Sequence, residues 1–432
     1  MEENKEFMVN SKITRKRSEK RNEKLPLPIG IADYRKASSE CYYVDKTLLI
    51  RDFIDERPQV SLFTRPHGFG KSLNMDMLRV FFERSEEDTS IYFQDKKIWE
   101  CGKEYQEYQG KYPVIYVTFK AVICETWEAT YDLIYKILRK EFERHRELLE
   151  SDKISSYEKQ YMMSMLNGEA HVTHVSCGFL NLSRMLHLHY GVAPIIIIDE
   201  YDTPVQLGYV HGYYNKIVEF MRILLSSGLK DNSHLAYGFL SGIMHIAKGD
   251  VLGGLNNIKD NSILDNRYSE YFGFTTEEVR KMAEYYGASE KYEELFEWYG
   301  GYHFGKTEMF NPRAVIEYFN NECTTYAFQR YTENNDIISV VLSKETAETY
   351  EQLESLMQGK SLVTRIDTGV SCSQLRKDPS AIYSLLLVAG YLTAVTNDQS
   401  FGDFMCEIAL PNKEIFYETV DLLKKHFYML RD

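Results

Sequence analysis

Proline and glycine are scarce in this chain, 10 and 25 in 432 residues, which excludes collagen-like and linker-rich architectures. No C-x-x-C pair occurs among the seven cysteines (Cys41, Cys101, Cys124, Cys177, Cys323, Cys372, Cys406). Their scatter and odd number fit reduced thiols and neither a disulfide framework nor a zinc ribbon. Long apolar runs are missing too. The longest uncharged stretch, between Asp378 and Asp398, is broken by Pro379, Ser384, Gly390 and Thr393 and is too polar to span a membrane. Met1 to Glu6 leads into no apolar segment, so no secretory signal is visible. Basic residues are the minority, 51 Lys+Arg against 64 Asp+Glu, and a net charge of −13 argues against a surface built throughout to grip nucleic acid. What is present, 44% hydrophobic residues over a length suited to two or three domains, predicts a globular cytoplasmic protein.

Residues 1–26 read as a solvated, disordered polar tail with a basic run at Arg15-Lys16-Arg17 and Lys20-Arg21, the only place where the sequence could bind nucleic acid. Ordered sequence begins at Leu27-Pro28-Ile29-Gly30-Ile31. Short apolar runs then alternate with helical periods, as in a parallel sheet with crossover helices. Strands are predicted at Val60–Thr64, Tyr112–Phe119, Pro194–Asp199 and Leu235–Ser241, with helices at Trp127–Arg144 and Tyr214–Leu229. Beyond residue 262 strand signals thin. Thr275-Thr276-Glu277-Glu278 reads as a capped helix start, helical periods run on through Tyr318 and over Glu345–Gly359, and one short strand is expected near 390–395. The predicted fold class is α/β: a P-loop domain over 27–262 with a parallel sheet flanked by helices, then a mostly helical, lid-like domain over 263–432.

The sharpest chemical signal is Thr64-Arg65-Pro66-His67-Gly68-Phe69-Gly70-Lys71-Ser72, which follows a predicted strand and opens a helix. In that context a loop from Arg65 to Ser72 can cradle phosphates with its backbone N–H groups; Lys71 would reach the β- and γ-phosphates and Ser72 a magnesium ion. The strict pattern asks for Gly where Arg65 stands. The apolar run Ile195–Ile198 ends in Asp199-Glu200, the pair that holds magnesium and polarises the attacking water in a nucleotide hydrolase. Ser241 sits where a strand-end hydroxyl could sense the γ-phosphate, and Arg65 and His67 could add positive charge. His171, His174, His187 and His189 have no accompanying carboxylate triad, and a polar helix face is expected there.

These residues carry a resemblance. The sequence resembles the AAA-ATPase-like proteins of bacteria over about 27–415, through Leu27–Ile31, Tyr43–Thr47, Leu62–Pro66, Phe69–Asn74, Ile198–Pro204, Ser241–Lys248, Gly254–Asn257, Glu270–Thr275, Trp298–Tyr302, Asn311-Pro312, Gly390–Leu392 and Pro411–Glu414. The resemblance implies ATP and Mg2+ as ligands and accommodates Arg65 at the first glycine position.

Departures from the family pattern matter. Four positions that usually carry arginine hold His67, Gly68, His245 and His303, and neither His nor Gly replaces a permanent charge and its fork of donors. Hydrolysis is therefore expected to be slow, or stimulated by a protein partner supplying the missing positive charge. Family members typically carry a PD-(D/E)XK nuclease-like domain behind the ATPase; this sequence stops at Asp432 and has no Glu-x-Lys in that region, so no nuclease activity is expected. The expected function is a magnesium-dependent nucleotide switch, the rival a non-catalytic nucleotide-binding scaffold.

Overall fold

The structure, a computed structural model, describes residues 24–246, 251–328, 336–343, 346–372, 374–376, 378, 380–398 and 405–429. The basic run and Ala247-Lys248 lie outside the described residues. Five parallel strands, β1 (Val60–Thr64), β2 (Val114–Thr118), β3 (Ile195–Asp199), β4 (Tyr237–Gly242) and β5 (Ile258–Asn261), make one sheet in the order β2-β3-β4-β1-β5. Because successive side chains point to opposite faces and both faces are covered, the apolar runs of β1 to β4 are nearly continuous. Leu62, Ile196, Ile198 and Leu240 enter one core, and Phe63, Ile195, Ile197 and Phe239 another.

The helix α1 (Lys71–Phe82) fills the second core with Met75, Leu78 and Phe81. On the other face α2 (Trp127–Arg144) contributes Ile134 and Leu138, and α3 (Tyr214–Leu229) contributes Ile217, Met221 and Leu224. Both helices have the bounds their spacing predicts. The α/β class and flanked parallel sheet are thus present. β5 was not predicted: Ile258-Lys259-Asp260-Asn261 is a polar edge strand with no apolar run to reveal it.

In the C-terminal half, α4 (Thr276–Tyr286) starts at a capping box in which Thr275 and Glu278 exchange bonds, as the sequence predicts. α5 (Pro312–Asn320) is capped by Asn311, and further helices follow at Ala347–Met357, Ala381–Val388 and Lys413–Met429. Helices predominate, but the single expected strand is an underestimate. β6 (Phe274–Thr275), β7 (Tyr302–Phe304) and β8 (Thr307–Phe310) form one antiparallel sheet in the order β6-β8-β7. β9 (Leu362–Arg365), β10 (Thr393–Asp398) and β11 (Met405–Ala409) form another, in the order β10-β11-β9. These strands are short, and β9 is half exposed along its length, so their periodicity is weak. The first small sheet rests on the 65–70 loop: Phe69 packs against Tyr302 and Phe304 with ring centres 5.0 and 4.9 Å away.

Candidate functional site

The loop between β1 and α1 needs two left-handed residues, Gly68 (φ 78°) and Gly70 (φ 81°), which L side chains rarely tolerate. Lys71 opens α1 and is buried. Its ammonium donates to the carbonyls of Arg65 and Pro66 at 3.0 and 3.1 Å and pairs with Glu200 at 3.3 Å.

The sheet order puts β3 between β2 and β4, and side chains from the ends of both neighbours and from the start of α1 meet at Asp199. Its Oδ2 accepts the Ser72 hydroxyl at 2.7 Å and the Thr118 hydroxyl at 3.3 Å, and its Oδ1 accepts the Ser241 hydroxyl at 2.6 Å. Burial, then the neighbouring Glu200, push the Asp199 carboxyl above its ordinary range, while the bonds from Ser241 and Ser72 oppose the shift. Glu200 is buried in the left-handed region (φ 53°), and its Oε2 has no hydrogen-bond partner. Lys71, Ser72, Asp199, Glu200 and Ser241 are thus brought together.

Arg65 is not among them. Its side chain turns under the sheet, fully buried, donating to the carbonyls of Thr64 and Asn261 at 2.8 and 2.7 Å with the rings of Phe272 and Phe304 on either side. Desolvation there lowers its pKa to about 10. Its expected place beside the phosphates is corrected to a structural one; neither Arg65 nor Pro66 lines the cavity, and their carbonyls accept from Lys71. His67 does line the site, yet burial and then Lys71, Lys120 and Arg313 hold its pKa down to about 3, so it adds no positive charge there. Of the other departures, His245 pairs with Asp260 at 2.9 Å, and the backbone N–H of His303 donates to Thr393; neither lines the cavity. The remaining histidines are dispersed: His171 caps a helix, His187 meets His234, and His189 meets Ser151.

A cavity of about 680 Å³, within the usual size of small-molecule sites, opens over the loop. Its polar lining includes His67, Lys71, Ser72, Glu200, Lys120 and Arg313, and its apolar lining Pro28, Ile29, Tyr42, Phe274 and Ile316. Reading motifs along the chain missed Arg313 and the apolar wall, because those residues come from both flanks of the sheet domain; the Leu27–Ile31 and Asn311-Pro312 blocks were the available signal. Asp202 was missed as well. Buried, with its pKa raised to about 6 by desolvation and Glu200, it accepts the N–H groups of Ile243 and Met244 at 3.0 and 2.8 Å and ties the end of β3 to the segment leaving β4.

No helix among the described residues is long and apolar enough to cross a membrane. The chain is similar to a protein of Azotobacter chroococcum mcd 1 described as an uncharacterized protein in the vnfD 5' region, 25% identical over 394 residues that cover 90% of this chain and 68% of that one. A family described as predicted AAA-ATPase matches residues 28–252, more than half of the chain. With the loop, the paired carboxylates and the strand order on one site, the chain belongs to this AAA-ATPase-like family.

Proposed function

We propose that the chain binds ATP with magnesium in this cavity and hydrolyses it slowly or under the stimulus of a protein partner, so that the nucleotide acts as a switch. The observation that supports this most is the convergence of Ser72, Thr118 and Ser241 on Asp199, beside the Lys71–Glu200 pair. Lys71 bonds only carbonyls and one carboxylate, contacts it can exchange for phosphate oxygens. The apolar part of the lining suits a nucleoside.

The residues fit magnesium. Asp199 and Ser72 offer hard oxygen donors, and two buried adjacent carboxylates with one orphaned oxygen call for a cation. Among the described residues no cluster of three or more metal-binding His, Cys, Asp or Glu side chains occurs. Bound there, the ion would neutralise phosphate charge. Glu200 takes the proton of the attacking water as its oxygen bonds to the γ-phosphorus. The bond to the bridging oxygen breaks with its electron pair left on ADP.

The test is ATP binding and turnover by the purified chain, with and without magnesium. Lys71→Ala should abolish binding, while Glu200→Gln should keep binding and lower turnover by about 10²-fold or more. Absence of binding by the wild-type chain would refute the reading, and fast unaided turnover would refute its slow form. A neutral His67 beside Gly68 favours the scaffold alternative, which predicts Lys71-dependent binding with no turnover.

A further inference from the structure

We propose that Tyr201 and Asp202 are positioning residues for hydrolysis: anchored on the segment that leaves β4, they hold Glu200 in its left-handed turn and keep its carboxylate beside Lys71. The proposal rests on the reading of Glu200 as the group that takes the proton of the attacking water. Glu200 has φ 53°, a conformation that a residue with a Cβ rarely adopts and that persists only where the surroundings over-determine it. On one side of it Asp199 is fixed in β3 and accepts the Ser72, Thr118 and Ser241 hydroxyls. On the other, the next two residues are fixed on one stretch of backbone. The N–H of Tyr201 donates to the Ser241 carbonyl at 3.0 Å. Its buried hydroxyl donates to the Met244 carbonyl and accepts the N–H of Ile246 at 3.0 Å. Asp202, fully buried, accepts the N–H groups of Ile243 and Met244 at 3.0 and 2.8 Å and the Gln206 amide at 2.8 Å, all through Oδ2.

The segment leaving β4 is itself tied to the start of the phosphate loop, where the N–H of Arg65 donates to the Gly242 carbonyl at 3.0 Å. Gly242 lets the anchor in. A Cβ there would stand 2.4 Å from Asp202 Oδ1 and 2.9 Å from Tyr201 Cε1, so a side chain at 242 would displace both residues. Glu200 therefore turns between two fixed ends, and its carboxylate lies 3.3 Å from Lys71 with Oε2 unpartnered. With the anchor cut, the backbone at Glu200 can relax out of the left-handed region and carry the carboxylate away from the attacking water; a misplacement of about 1 Å can cost about 10²-fold in rate. Lys71 and Ser72 stand on α1 and do not depend on that turn, so ATP affinity is spared.

The experiment is single-turnover hydrolysis of Mg-ATP by the full chain in excess, with ATP affinity measured alongside, for the wild type and the Asp202→Ala, Asp202→Asn, Tyr201→Phe and Glu200→Gln variants. Asp202→Ala should slow hydrolysis per bound ATP by about ten-fold or more and leave ATP affinity within about two-fold, the mark of an arrangement that matters only in the transition state. Asp202→Asn should keep most of the rate, because an amide oxygen accepts the same N–H groups. Tyr201→Phe, which removes only the two bonds of the hydroxyl, should slow hydrolysis at unchanged affinity. Retained ATP binding reports that a variant is folded. A wild-type rate per bound ATP in Asp202→Ala, or in Tyr201→Phe should Asp202→Ala not fold, would overturn the proposal and leave Glu200 in its role, provided Glu200→Gln is slow. So would a rate in Asp202→Asn as low as in Asp202→Ala. Hydrolysis by Glu200→Gln at the wild-type rate, or a wild-type chain that binds ATP without hydrolysing it, would instead overturn the reading of Glu200 and the proposal with it.

Discussion

Replacing Gly68 by alanine tests how the C-terminal half is fitted to the phosphate loop. Two costs arise. The residue sits at φ 78°, and an L side chain in that region costs about 1–2 kcal/mol. The new methyl would also meet Asn311 Oδ1 at 2.7 Å and Nδ2 at 3.0 Å. Asn311 can yield only by giving up its role as α5 cap, where Oδ1 accepts from the N–H groups of Arg313 and Ala314 at 3.0 and 3.4 Å; a lost cap costs about 1 kcal/mol. Gly68→Ala should therefore destabilise by about 2–3 kcal/mol, read as a lower midpoint in chemical denaturation at unchanged slope. In an Asn311→Gly background only the backbone term remains, because glycine keeps most of the capping geometry. The double-mutant cycle should then return a coupling of about 1 kcal/mol. Equal costs in both backgrounds would mean that α5 does not press on the loop. A cost below about 0.5 kcal/mol would mean that residue 68 is not held left-handed at all.

Arg65→Lys should lower stability by about 2 kcal/mol or more, since a compact, strongly hydrated ammonium replaces the planar, weakly hydrated guanidinium that lies against two rings while its Nη1 serves two carbonyls, and should leave ATP affinity nearly unchanged in the folded fraction. Lost affinity at unchanged stability would put the guanidinium back at the phosphates. A second buried network sets a pH window. Burial opposes the charge of Glu141, but bonds from His145 and Arg144 outweigh it and bring its pKa from 4.5 down to about 2, so its stabilisation is complete above 4.5 and fades as pH falls toward 2. Burial likewise opposes the charge of His145, yet Glu141 and Glu147 raise its pKa above 6.5, so its share is complete below 6.5 and is lost as pH rises through the folded value. The stability difference between wild type and Glu141→Gln should therefore be largest between pH 4.5 and 6.5 and shrink on both sides; a flat difference in denaturation from pH 4 to 9 would refute the pairing.

The elements that could be read from the sequence are those whose local pattern and tertiary role agree. β1, α2 and α3 are buried over long apolar or periodic runs, and their ends fall where the pattern stops. β5 and most strands of the two small antiparallel sheets escape because they are short and partly polar, and β5, β6 and β9 pair with neighbours distant in sequence. The capping box at Thr275 was legible for the opposite reason: it is entirely local.

The site divides along the same line. Lys71, Ser72, Asp199 and Glu200 belong to motifs whose chemistry is written in adjacent residues, and Ser241 could be placed because a strand-end hydroxyl on the intervening strand has one direction to face. Arg65 lies in the same loop yet was misjudged. Nothing local tells whether a side chain after β1 turns toward the cavity or under the sheet; the carbonyls of Thr64 and Asn261 and the rings of Phe272 and Phe304 decide that, and three of those four lie almost two hundred residues or more away. The charge inventory changes accordingly. Four missing arginines suggested a site starved of positive charge, but His245 and His303 do not line the cavity, so only the His67-Gly68 pair bears on it. At that pair the missing side chain is what lets Asn311 and Arg313 come close. A comparison made position by position therefore misjudges the charge at the site, because it does not say which side chains the fold turns into the cavity.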